Sequence, residues 1–450
     1  MRRNVAVLFL MILVLSGSIT LWAQPAAVST PAVEMDADFT VEWMQLIYDR
    51  VKAQRVDVPT AARIYGYTGI TLYIAVAPGM SDAMPLAMLN ELPYLPTVDP
   101  GAVYDWAAVA NAALAVVAPA LLADAAPADT PTLNTAPSNA TITAFSGEYA
   151  AQATRSRRTH GNEVAERSLA YGAALGEVIL TWAAADGYEA TRAMSYTMPD
   201  PENPANWSLS RLGQDAMQPY WGSLRPMVLA DADVCAVPLD VPFDHNPFST
   251  FHAQAMEIRD MQPTLTEDQQ QIAAFWDERP GESGTAAGHW VDVENQLVDY
   301  LDLNLEQAAT MYGLLGITFH DAFISTWSLK FQVNLLRPES YIQTYIDPAW
   351  QPYRATPPFP AYPSGHSVLG GAVAEVLTGL FGPTAYTDRY GVKYGLRARE
   401  YTSFEAAAYE NAISRMYGGV HYRVDIENGL EQGRCIGQTI IATLLPDQVP

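Results

Sequence analysis

From Asp38 onward, apolar residues recur every three or four positions, and this spacing limits the chain to a helical fold. Phe39, Trp43, Leu46, Ile47 and Val51 open the pattern, which lays one apolar stripe along an amphipathic helix. Residues 60–76, 105–122 and 160–185 keep the same period, as do 247–261, 266–277, 293–327, 366–381, 403–416 and 425–445. Alternating apolar and polar stretches are short and few, and no repeat period marks a solenoid. The expected fold class is therefore all-α: helical bundles joined by long loops, such as the Ala/Pro/Thr stretch at 125–136. A chain of 450 residues, 49% of them hydrophobic, can bury a core of one large domain or two packed halves.

Arg2 and Arg3 precede an apolar run from Val5 to Trp22, with a small residue, Ala23, at its end. This is the pattern of a secretory signal peptide over residues 1–23, so the protein is expected to be secreted or periplasmic. Residues 24–37, rich in Ala, Pro and Ser, read as a flexible leader, followed by an N-terminal helical half at 38–235 and a C-terminal half at 236–450. No later apolar run reads as a membrane span. The net charge of −24 excludes nucleic acid as a partner, because a polyanion needs a basic face. Cys235 and Cys435 are the only two cysteines; they form one bridge or remain two buried thiols.

The chemistry gathers in three segments of the C-terminal half, although the chain has only 25 Lys and Arg and seven His. The first runs from Lys330 to Arg337-Pro338. Seven residues make about two helical turns, so on one helix both cations point the same way, with Pro338 ending the helix. A shared anion removes their repulsion; the alternative is a pair of surface bases with snorkelling stems. The second segment, Phe359-Pro-Ala-Tyr-Pro-Ser364-Gly365-His366, leads into an apolar helical run. Its helix N-terminus offers free N–H groups to an oxyanion, Gly365 permits close approach, and His366 stands ready as an acid/base. In the third, Ser414-Arg415-Met-Tyr-Gly-Gly-Val-His421, the paired glycines let Arg415 and His421 converge. Asp425, four residues on, is placed to fix the His421 tautomer. The remaining histidines have no ligand spacing, and His320-Asp321 reads as structural.

In this order the three segments, Lys-x6-Arg-Pro, Pro-Ser-Gly-His and Ser-Arg-x5-His-x3-Asp, resemble the signature of vanadium-dependent haloperoxidases and the type 2 phosphatidic acid phosphatase superfamily. The resemblance implies that Lys330, Arg337, Ser364, Gly365 and Arg415 bind the oxygens of vanadate or a phosphoryl group. It implies His421 as the vanadium ligand and His366 as the acid/base. In the peroxidase branch Lys330 polarises hydrogen peroxide, and halide, with a small organic acceptor possible, is the partner. In the phosphatase branch His421, oriented by Asp425, is the nucleophile. The length of the N-terminal half and the aromatic context resemble haloperoxidases, in particular a bacterial haloperoxidase-like branch. Trp327 and Phe359 match halide-site aromatics, and Asp277 matches an acid that braces an active-site arginine. The expected cofactor is thus vanadate and the expected reaction halide oxidation. The alternatives are a soluble acid phosphatase of the same superfamily and a secreted oxyanion-binding protein without turnover.

Overall fold

The structure, a computed structural model, describes residues 28–125, 139–210 and 214–446. The expected signal peptide and nearly all of the 125–136 loop lie outside the described residues. The protein is 62% helix and 3% strand, as the periodicity requires of an all-α chain. The N-terminal half contains α1 (Asp38–Ala53), α2 (Val58–Val76), α3 (Trp106–Asp124), α4 (Asn139–His160), α5 (Asn162–Ala184) and the one-turn α6 (Tyr188–Thr191). The C-terminal half contains α7 (Thr250–Met261), α8 (Glu267–Phe275), α9 (Thr285–Tyr300), α10 (Leu305–Val333), α11 (Pro338–Tyr345), α12 (Gly365–Phe381), α13 (Phe404–Tyr417) and α14 (Arg423–Leu444). Between α12 and α13 a short antiparallel hairpin pairs β1 (Tyr386–Asp388) with β2 (Arg399–Tyr401).

The helix expected over 293–327 is two. Asp302 takes a left-handed φ of 52°, and Asn304 begins α10 with a capping box shared with Gln307. Capping of this kind fixes a new start even where the apolar period runs on. The period also misses α4, whose sequence carries few large apolar residues. Part of the segment expected to be a flexible leader is docked. Ala32 and Ala37 are buried, and Leu305 N donates to Met35 O at 2.9 Å, so this stretch packs on the start of α10.

Several pairs of helices approach closely enough to exclude a Cβ, among them α5 and α3, where one on Gly172 would lie 2.0 Å from Val109 O. One on Gly69 of α2 would lie 2.2 Å from Tyr312 O of α10, and one on Gly433 of α14 would lie 2.2 Å from Val368 O of α12. Glycine at these crossings lets backbones pack directly. One buried apolar cluster runs from Trp43 and Tyr67 through Leu314 and Phe319 to Val373 and Ile440, so both halves share a core. A second, containing Phe251, Leu335, Tyr341 and Tyr422, underlies the junction of α10, α11 and α14. By length and composition α3, and the stretch from Asn162 to Thr191, are apolar enough to cross a membrane, which the sequence reading did not anticipate. In the fold 67% of the α3 window is buried, as a core helix of this composition is.

Cys235 and Cys435 form a disulfide across 200 residues, with Cα atoms 5.7 Å apart, tying the loop before α7 to α14. Closing so long a loop restricts the unfolded chain, and its loss costs about 2–5 kcal/mol. Thermal unfolding with and without reductant is therefore expected to show a lower midpoint after reduction; an unchanged midpoint would mean that the bridge adds nothing to stability.

Candidate active site

Lys330 and Arg337 meet, but not on one helix face. Helix α10 ends at Val333, Asn334 turns the chain with a left-handed φ of 52°, and Arg337 is the N-cap of α11. Pro338 begins that helix rather than ending the previous one, which suits its fixed φ and missing N–H. The Lys330 ammonium donates to Pro360 O and Ala361 O, each at 2.9 Å, and to Pro363 O. It thereby pins the segment that leads into α12. Arg337 donates from Nε to Phe359 O at 2.9 Å and from Nη1 to Val420 O at 2.8 Å. The Phe359 ring lies close to both cations, its centroid 5.1 Å from Lys330 Nζ and 4.9 Å from the Arg337 guanidinium carbon, a favourable contact for a ring face.

Ser364 caps α12 as expected, its side chain accepting from Ser367 N, and Ser364 N donates to Asp425 O at 2.9 Å. The Gly418–Gly419 turn, with φ +76° at Gly419, reverses the chain between α13 and α14 and leaves His421 just before α14. His421 Nδ1 faces Asp425 Oδ2 at 2.9 Å, and Arg337 Nη1 donates to His421 Nε2 at 3.0 Å. An arginine can only donate, so Nε2 carries a lone pair and Nδ1 the proton. Burial, then the charges of Arg337 and Lys330, hold the His421 pKa well below the usual histidine value, which keeps the ring neutral. Burial likewise pulls Lys330 well below the lysine range and Arg337 to about 9.

Gly365, His366, Arg415, His421, Phe359 and Trp327 all line one cavity of about 420 Å³, whereas Lys330, Arg337 and Ser364 are not part of this lining. Lys330 and Arg337 are wholly buried and Arg415 is 5% exposed. None of the three has an ion-pairing carboxylate among the described residues. Arg337 Nη2 and Arg415 Nε are buried donors without a partner among the described residues. Buried cations left like this are costly. An oxyanion in the cavity would take up both orphaned donors and offset all three charges, so the residues fit vanadate or phosphate. A Cβ at Gly365 would meet protein no closer than 3.7 Å, so packing does not demand glycine there. A larger cleft of about 660 Å³, flanking the β1–β2 hairpin, has Arg389 as its single basic lining residue, and no such cation cluster.

Some expectations shift. Asp277 pairs with Arg279 at 2.6 Å and lies 3.6 Å from Arg354; Arg415 Nη1 instead donates to Trp276 O. The next residue, Glu278, lines the same cavity as Asp277, and its Oε2 accepts from His366 Nε2 at 2.9 Å. Sequence reasoning missed Glu278 because nothing local marks it, and His289, which pairs with Glu278 at 2.7 Å, was set aside for want of ligand spacing. His320 and Asp321 are structural. His320 bonds Arg225 O, and Asp321 accepts from the N–H groups of Met227, Val228 and Leu229.

Comparison with known proteins places this geometry. Residues 310–445 match the family described as the VCPO second helical-bundle domain. The vanadium chloroperoxidase of Curvularia inaequalis is 28% identical over 176 residues, a match that spans only 29% of that protein. A bacterial vanadium-dependent iodoperoxidase superposes with a TM-score of 0.80 at 29% identity, over 92% of this chain and 97% of its own. The holo form of a bacterial vanadium-dependent chloroperoxidase shares the fold at 14% identity, with a TM-score of 0.67 over 88% of this chain and 93% of its own. Residues 310–445 thus match the second helical-bundle domain of that family, and the chain as a whole is similar in fold to bacterial vanadium-dependent haloperoxidases.

Proposed function

We propose that the protein oxidises halide with hydrogen peroxide at a vanadate held by His421. The observation that carries this reading is the set of three buried, unpaired cations with two orphaned donors beside a neutral His421 whose Nε2 is a lone pair. Arg337 and Arg415 would hold the anion's oxygens with charge-assisted hydrogen bonds, together with Ser364 and the N–H groups at the start of α12. Lys330, with its donors committed to carbonyls, contributes positive charge. Vanadate, when bound, supplies the Lewis-acidic centre at which peroxide is activated.

The net change is X⁻ + H₂O₂ + H⁺ → HOX + H₂O: the halide loses two electrons, the O–O bond breaks, and one oxygen leaves as water. His366 lines the cavity and is suited to deliver the proton that this water needs. Trp327 and Phe359, with ring centroids 5.0 Å apart, give the cavity an apolar wall suited to a weakly hydrated halide. Similarity to the iodoperoxidase makes iodide the first halide to try. Secretion, expected from residues 1–23, agrees with a structural disulfide, which persists in oxidising compartments.

Purified protein loaded with orthovanadate is expected to oxidise iodide or bromide in a peroxide-dependent assay and to lose that activity on vanadate removal. Hydrolysis of a phosphomonoester by the vanadate-free protein, with no peroxide-dependent halide oxidation after loading, would overturn this reading in favour of a phosphatase. Stoichiometric vanadate binding with neither activity would leave only a binding protein.

A further inference from the structure

Behind His366 lies a chain of buried ionisable groups. His366 Nε2 meets Glu278 Oε2 at 2.9 Å; Glu278 Oε1 meets His289 Nδ1 at 2.7 Å; His289 Nε2 meets Asp388 Oδ2 at 2.8 Å. Asp388 Oδ1 accepts from Tyr390 N at 2.8 Å and faces Gln296 Nε2 at 3.4 Å. His289 and Asp388 are fully buried and Glu278 nearly so. The His289 ring is sandwiched between Tyr390, 3.7 Å away, and Trp276, 4.2 Å away, both nearly parallel to it.

Proton counting constrains the chain. An ionised carboxylate only accepts, so Glu278 requires a hydrogen on each nitrogen that faces it. His289, with a carboxylate on both nitrogens, must then be an imidazolium, and the two flanking rings suit a cation. His366 is left with its hydrogen on Nε2. Its Nδ1 has no hydrogen-bond partner among the described residues, in a ring that lines the cavity. A second hydrogen bond of this kind is what commonly fixes which imidazole nitrogen reacts.

We propose that Glu278, His289 and Asp388 are positioning residues for His366: Glu278 fixes the Nε2–H tautomer, so that Nδ1 is the proton-transferring atom, and His289, held as an imidazolium by Asp388, keeps Glu278 ionised. The principal charges that act on His366 are Arg415, Glu278 and Asp277, with the titratable His421 also near it; those that act on His289 are Asp388 and Glu278. The interaction with two carboxylates outweighs burial and raises His289 to about 9, while its hydrogen bonds lower Glu278 despite burial. Both directions agree with the proton count.

The role in turnover rests on the haloperoxidase reading, but the tautomers do not, so they are read on vanadate-free protein. Imidazole ¹⁵N spectra at pH 7, with signals assigned by loss in His366→Ala and His289→Gln, are expected to show His289 protonated on both nitrogens and His366 on Nε2 alone. A neutral His289, or His366 protonated on Nδ1, overturns the proposal. In Glu278→Gln the amide can accept from only one of its two neighbours, so one ring must change its protonation pattern. Unchanged ¹⁵N shifts in this variant also overturn it. In the loaded enzyme Glu278→Gln is expected to lower kcat about 100-fold, the range of a lost general acid/base, with vanadate affinity changed less than threefold. Retained kcat removes the catalytic half of the proposal while the spectra still decide the tautomers. Absence of halide oxidation in the parent protein is a failure of the haloperoxidase reading alone.

Discussion

His421→Ala is expected to cut vanadate affinity by more than about 100-fold and to abolish halide oxidation. Loss of a residue that merely orients a metal ligand costs about 10–100-fold in affinity, so loss of the ligand itself should exceed that range. The structure prepares His421 for this bond. Asp425 Oδ2 holds the proton on Nδ1 at 2.9 Å, and the surrounding cations disfavour a second proton. The Nε2 lone pair is therefore present in the resting protein, where Arg337 Nη1 occupies it at 3.0 Å. Alanine leaves Lys330, Arg337 and Arg415 in place, so residual electrostatic attraction for any oxyanion should persist. Equilibrium dialysis against orthovanadate, with phosphate as a second probe, separates the two contributions. Phosphate affinity should fall far less than vanadate affinity, because a phosphate held by charge alone makes no bond to His421. If both anions bind His421→Ala within threefold of the parent, His421 is not a ligand.

Much of this site was legible because its parts are local. Ser364-Gly365-His366 before an apolar run specifies a helix start whatever surrounds it, and α12 begins at Gly365. The Gly418–Gly419 interruption and the spacing of His421 and Asp425 likewise concern neighbours in sequence. Where the reading assumed that one helix continues, it failed. Residues 330–337 bend at Asn334, and α9 ends before α10 begins. A left-handed residue and a cap are cheap for Asn and Asp, and periodicity does not register them. The cations still converge, because the Asn334 turn returns Arg337 toward the segment that Lys330 clamps. Glu278 and His289 were illegible for another reason. Glu278 reaches a histidine 88 positions away, and His289 an aspartate 99 away. Pairings of that kind depend on how α9, α12 and the β1–β2 hairpin pack, which no single segment encodes. Asp277 was the natural choice of acid on local grounds; it pairs directly with Arg279, while its charge also acts on Arg415.

Lys330→Met is expected to lower stability moderately and turnover by at least about 100-fold, and Lys330→Arg should fail to restore turnover. Two effects oppose each other in the vanadate-free protein. Removing the ammonium relieves a buried charge beside Arg337, a burden evident in how far burial pulls the Lys330 pKa down. It also strips the carbonyls of Pro360, Ala361 and Pro363 of their shared donor, at about 1–3 kcal/mol for each group left unsatisfied. Three such losses exceed the relief only in part, since a buried charge costs several kcal/mol itself. The net loss should therefore be on the order of 1–3 kcal/mol, measured as a thermal or denaturant midpoint. Turnover has no such compensation, because the variant loses both the positive charge near the peroxide and the clamp on the segment that carries Phe359 and Ser364. Arginine tests which of these matters. It keeps the charge, but a planar fork cannot meet three carbonyls that converge on one point. If charge alone were needed, Lys330→Arg would work at close to the parent rate. At least tenfold lower turnover with retained vanadate affinity would instead identify the clamp, and through it the placement of Ser364 and Phe359, as what Lys330 supplies.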